Sequence, residues 1–251
     1  MSFKQRSNQQ GVAHLLFIVL GVVVVAAIGF AAWKVSSNSK STTSSSSSTS
    51  KTAAVNTAAL ADACNKAVKD ANLCKFASHY NPNASYKAVD TSTTTEGNGT
   101  LTILSDGKGN SSVLSSANGV DTSFVSLNGA TYLQDPSSGT WIKYSSGSGA
   151  PTTNNPADGL KLSASDITAG GTISYTNLGT EACGSLTCYK YQVNDTTQPV
   201  ATEYVWFSNS DYQLHEFYVK NSNGTNDMTF TYQNVSITAP SPVQDYSTPT
   251  Q

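Results

Sequence analysis

The chain has 251 residues, of which only 12% are charged, and a formal net charge of −2. All 16 acidic residues lie beyond Thr52 together with nine of the basic ones, so the region from residue 53 onward carries −7 and contains no arginine. Neutralising phosphates takes clustered Lys and Arg, so nucleic acid is excluded as a partner, and a surface covered by Ser, Thr and Asn suits an extracytoplasmic β-protein better than a cytosolic enzyme.

In chain order, residues 1–10 form a short tail carrying Lys4 and Arg6, and Ser7 to Trp33 contains no Asp, Glu, Lys or Arg. Gly11 to Trp33 would rise about 35 Å as a helix, enough for a bilayer core of about 30 Å. Residues 11–35 are therefore expected to form one transmembrane anchor, longer than the apolar region of a cleaved signal peptide. The flanking charges are nearly balanced, so the exported character of the rest places the amino terminus inside and the bulk outside, at the cell membrane. Residues 36–52 contain only Ser, Thr, Asn and Lys. With nothing apolar to bury, this segment is expected to be a disordered tether spanning roughly 22 Å.

Residues 53–80 read as helical, because Leu60, Ala63, Cys64, Ala67 and Val68 recur at three- and four-residue spacing. Four cysteines, Cys64, Cys74, Cys183 and Cys188, lie beyond the apolar segment. In an exported domain they suggest two disulfides, with three possible connectivities. Local pairing is expected. Cys183 and Cys188 flank a Gly-containing turn, while Cys64 and Cys74 would stand about 15 Å apart in one unbroken helix. A 64–74 bond therefore requires a break, which "KDANL" supplies, with Asp70 capping a second short helix. Only His79 and His215 remain as further zinc ligands and no CxxC pair occurs, so no metal site is expected.

Beyond "HYNPNAS", strand signals dominate: "TLTIL", "SSVLSS", "TSFVSL", "ATYLQ" after Asn128-Gly129, and "TWIKY" after "DPSSG". A Gly/Pro/Asn-rich loop spans 145–158, and "LSASDI" offers one helical turn. "TISYTNL", "CYKYQV", "TEYVWFS" and "YQLHEFYV" follow. The last strand is "DMTFTYQNVSI", ended by Pro240 and Pro242. Period-two alternation puts Tyr189, Tyr191 and Val193 on one sheet face, and likewise Met228, Phe230 and Tyr232. Eight to ten antiparallel strands are expected, in a domain over 53–245 followed by a tail over 246–251.

Catalytic signatures are weak. No GxSxG occurs, and the Ser-x-x-Lys triplets are chance matches in a Ser-rich chain. His215 reads as an exposed sheet residue, and Glu203, Asp211 and Glu216 as turn or exposed strand positions. No catalytic residue, cofactor or enzymatic activity is therefore expected. Aromatics carry the remaining hypothesis. Tyr132, Trp141, Trp206, Phe217 and Phe230 belong to the strands, and they either pack the core or line a concave pocket for an apolar ligand.

The helical start, "TYLQDPSSGTWIKY", "EYVWFSNSDYQLHEFYV" and "FTYQNVSITAPSPV" together resemble the LolA-like and LppX/LprG-like group of periplasmic lipoprotein and lipid carriers, over roughly Ala53 to Val243. The resemblance implies an α+β, mainly β fold: a curved antiparallel sheet, or half-open barrel, whose apolar face is covered by the N-terminal helical element. It implies a lipid or lipoprotein as partner, beside the membrane itself. The alternative is a cell-surface interaction or structural protein with the same sheet and no small-molecule ligand.

Overall fold

The computed structural model describes residues 62, 64–66, 69–79, 81, 83–95, 97–144, 173–195 and 201–245. The expected tail (1–10), anchor (11–35), tether (36–52), "LSASDI" turn and final tail (246–251) lie outside the described residues. Among the described residues, no helix is long and apolar enough to cross a membrane.

Among the described residues, helical positions at 62 and 64–66 and a nine-residue helix, α1 (Ala71–His79), precede twelve strands. The first six are β1 (Tyr86–Thr94), β2 (Gly97–Ser105), β3 (Ser111–Ala117), β4 (Val120–Leu127), β5 (Ala130–Gln134) and β6 (Trp141–Tyr144). After them come β7 (Ile173–Cys183), β8 (Leu186–Asp195), β9 (Thr202–Ser208), β10 (Leu214–Asn221), β11 (Gly224–Tyr232) and β12 (Val243–Asp245). All twelve form one sheet in the order β12-β6-β5-β4-β3-β2-β1-β11-β10-β9-β8-β7. The chain thus runs as two antiparallel meanders, β1 to β6 and β7 to β11. It leaves the first near one edge, re-enters at the opposite edge, and joins the two where β11 pairs with β1.

Short turns fix the registers. Asn128 (φ 51°) and Gly129 (φ 77°) form the expected Asn-Gly turn between β4 and β5, and Asn118-Gly119 repeats it between β3 and β4. Both turns hold positive φ at two successive residues, the geometry whose twist matches that of a hairpin.

Three expectations are corrected. Among the described residues the strands number twelve against the eight to ten expected, because β1 and β12 add to the segments read from sequence. The central strand β1 has a weak apolar signal: Tyr86 and Ala88 lead its core face, but Asp90 holds the third position. The "QNVSI" segment is not strand, since β11 ends at Tyr232. Nor do the prolines end the sheet: β12 pairs in parallel with β6, and the Trp141 N–H donates to the Pro242 carbonyl at 3.0 Å. Pro lacks a donor but keeps its carbonyl, so it can serve a sheet edge.

The larger of the buried apolar clusters lies on one face of the sheet. Ala88, Leu101, Ile103, Val113, Tyr191, Phe207, Leu214, Phe217, Val219, Met228 and Phe230 bury together with Leu73, Phe76 and Ala77 of α1. This helix-bearing face follows from alternation: β2 buries Gly99, Leu101, Ile103 and Ser105 and leaves the intervening side chains more open.

Candidate functional site

The helix is seated by its first turn. Lys69 adopts φ 57°, breaking the helical path, and the Asp70 carboxylate accepts from the Asn72 and Leu73 N–H groups at 2.9 and 3.0 Å. This is the break and cap expected at "KDANL". Both disulfides, Cys64–Cys74 and Cys183–Cys188, pair locally. The Asp70 carboxylate also reaches the sheet, accepting from the Tyr191 hydroxyl at 2.8 Å and from the Asn177 amide at 3.1 Å. Burial by itself pushes the Asp70 carboxyl up, but the donors Leu73, Asn177, Tyr191 and Asn72 together hold it below the usual range. Burial, and then the adjacent Asp70, push the Tyr191 hydroxyl up. Below this network Phe76 stacks on Phe207 (4.4 Å between centroids), which stacks in turn on Tyr191 (5.2 Å).

The helix-bearing face contains one continuous cross-strand row. From β3 to β7 it reads Ser115, Leu101, Asp90, Met228, Phe217, Val205, Tyr191 and Asn177, each opposite the next in register. Asp90, a lone carboxyl between Leu101 and Met228, is only 4% exposed. Its Oδ1 is buried with no hydrogen-bond partner. Burial, followed by the charge of Asp227, raises its pKa to about 6, against a hydrogen bond from the Asp227 main chain. A second carboxylate, Glu203, is buried on the same face opposite Val219 and Val193. Asp90 belongs to no motif in the sequence, and Glu203 is buried rather than exposed as expected. The available signal for both was their place in the apolar alternation of a strand.

The register divides the five candidate aromatics. Phe217 and Phe230 belong to the helix-bearing face and its core. Trp206, adjacent to Phe207, points the other way and packs with the Cys183–Cys188 disulfide. Tyr132 pairs with Val125 and Lys143, and Trp141 with Gln134, so both also alternate to the reverse face. All five therefore cannot line one pocket, because a strand's neighbouring side chains face opposite ways.

The reverse face carries its own arrangement. The Lys190 ammonium lies 4.8 Å from the Tyr204 ring centroid and 4.6 Å from that of Trp206, and it pairs with Glu181 at 3.2 Å. The Trp206 indole N–H donates to Glu181, which with Lys190 holds that carboxyl below its ordinary range. Tyr218 stacks on Tyr204 at 6.2 Å.

Two histidines complete the inventory of possible bases. His79 Nδ1 lies 2.9 Å from the Lys75 carbonyl, to which the Ser78 hydroxyl also donates at 3.0 Å. Nδ1 must carry a proton to bond that carbonyl, so it does not activate Ser78; the pair caps the helix end. His215 is not the exposed residue expected. It sits at the β10 irregularity with its side chain 12% exposed, beside Asp211 at 3.1 Å and edge-on to Tyr232. Among the described residues, no group of three or more His, Cys, Asp or Glu is placed to hold a metal ion.

No protein-family model matches the chain, and no curated protein matches it. Solved structures do resemble it. LprF from Mycobacterium bovis aligns with a TM-score of 0.45 at 14% identity, over 75% of this chain and 98% of that one. The lipoprotein LppX from Mycobacterium tuberculosis aligns at 0.39 and 11%, over 72% and 98%. A LolA-superfamily protein from Nitrosomonas europaea aligns at 0.29 and 12%, over 74% and 96%.

Proposed function

We propose that this chain is a membrane-tethered, extracytoplasmic and non-catalytic binding module that holds a lipid or another apolar ligand against the helix-bearing face of its sheet. The observation that carries this reading is the row from Leu101 to Tyr191 and its neighbours Ile103, Phe230 and Phe207. These side chains, Asp90 apart, form a broad apolar layer buried on one face of a single sheet, with a nine-residue helix seated against β7, β8 and β9. Two disulfides and an acidic, arginine-free domain agree with an oxidising compartment. The apolar run over 11–35 and the hydroxyl-rich run over 36–52 supply the anchor and tether of this reading. Within it, Phe217 and Phe230 contact the ligand, whereas Tyr132, Trp141 and Trp206 serve the opposite surface.

The Tyr204, Trp206 and Tyr218 rings on the reverse face favour a second reading, an interaction protein that meets its partner through that face. One experiment separates the two: native mass spectrometry of residues 53–251, produced in an oxidising compartment, before and after delipidation. A discrete added mass that delipidation removes supports the ligand-holding module. A bare mass, lighter than the reduced polypeptide by four hydrogens for its two disulfides, moves the weight to the interaction reading.

A further inference from the structure

The lysines of the sheet are confined to one face, where they are mixed with Asp121, Glu181, Glu216, Asp227 and Asp245. The strand lysines Lys87, Lys143, Lys190 and Lys220 all alternate to the reverse face, opposite Thr231, Tyr132, Trp206 and Thr202. The helix-bearing face has none of these lysines, and two of its carboxylates, Asp90 and Glu203, are buried. Lys75, on the covering helix, is exposed and stands 6.0 Å from the Tyr212 ring centroid. Asp90 therefore sits at the centre of the sheet with one oxygen unpartnered, flanked across strands by Leu101 and Met228 and along its own strand by Ala88 and Ser92. Burying a carboxyl without a full set of donors is costly, and an aliphatic side chain at this position would remove the cost. A ligand that brings both a donor and a compensating charge also removes it.

We propose that the apolar ligand of this face is an amphiphile with a primary ammonium headgroup, whose N–H groups donate to the Asp90 carboxylate while its alkyl chain lies along Leu101, Met228 and Phe217. This inference rests on reading the helix-bearing face as an apolar-ligand site. An ammonium–carboxylate bond in apolar surroundings is stronger than one from a neutral hydroxyl. An anionic headgroup would meet two carboxylates and no strand lysine, so fatty acids and phosphate-headed lipids are disfavoured.

The sequence contains two methionines, Met1 and Met228, so methyl-13C methionine labelling places one reporter directly opposite Asp90. The test titrates the delipidated full-length chain, held in phosphatidylcholine nanodiscs at pH 7.5, with octylammonium, 1-octanol and octanoate. Probe concentrations are corrected for partition into empty discs. Octylammonium should shift the Met228 methyl signal with at least tenfold higher affinity than octanol, and octanoate should bind weakest. Asp90→Asn should bring octylammonium to within about twofold of octanol, while Asp90→Glu, which keeps the charge, should retain most of the preference. Equal binding of the three probes, or tightest binding of octanoate, overturns the ammonium assignment and leaves the apolar site standing. If no probe moves Met228, both the assignment and the apolar-ligand reading fail.

Discussion

Asp90 and Asp70 are chemically the same residue with opposite fates, and donor supply decides the difference. Asp70 takes four donors and stays ionised easily, whereas Asp90 keeps an unpartnered oxygen among apolar neighbours. A carboxyl at about 6 in the folded chain and at its ordinary value when unfolded costs on the order of 2–3 kcal/mol at pH 7. Between those two values the folded state binds the extra proton. The contribution of Asp90 to stability therefore falls as pH rises from about 4 to about 6 and levels off above. Asp90→Asn should flatten this slope, raising Tm by about 3–6 °C at pH 7.5 and changing it little at pH 4, as thermal melts would show. For Asp70, loss of the cap and of the Tyr191 contact points the other way. Asp70→Ala should destabilise by about 1–2 kcal/mol in urea unfolding, more than Tyr191→Phe, which leaves the cap intact.

At the scale of elements, the two disulfides do different work. Cys183 and Cys188 join β7 and β8 beside a turn whose ladder already holds the strands together. Cys64 and Cys74 instead tie the helical residues 64–66 to α1 across the break at Lys69, where no ladder acts. Replacing the Cys64–Cys74 pair by alanines should therefore cost about 2–3 kcal/mol, and replacing Cys183–Cys188 distinctly less; paired chemical denaturation curves would rank them. Element type was largely legible in sequence. Ten strands, the helix break and the Asp70 cap all rest on local rules of alternation, turn chemistry and capping. The strand β1 escaped those rules because Asp90, Thr91, Ser92, Thr93 and Thr94 carry no apolar alternation. Its pairing with β2 and β11 on both sides supplies what its side chains do not.

For the molecule as a whole, continuity depends on the β1–β11 seam between the two meanders. Strands next to this seam have partners on both sides, whereas β12 and β7 are the edges. Hydrogen exchange should consequently be slowest in β1, β2, β10 and β11, and fastest in the three-residue β12 and along β7. Uniform protection across the sheet would contradict this account of the seam.

Composition and local pattern alone determined the class of protein: an arginine-free, mainly β domain behind an apolar run and a hydroxyl-rich run, with cysteines spaced for local disulfides. These properties depend on residues close together in the chain. Only the tertiary structure decided which face each strand turns to the helix, because the register of one strand against the next is set by pairing partners distant in sequence. That register separated Phe217 and Phe230 from Tyr132, Trp141 and Trp206. It also placed a lone carboxyl, Asp90, in the middle of an apolar row, and it sent every strand lysine to the opposite side.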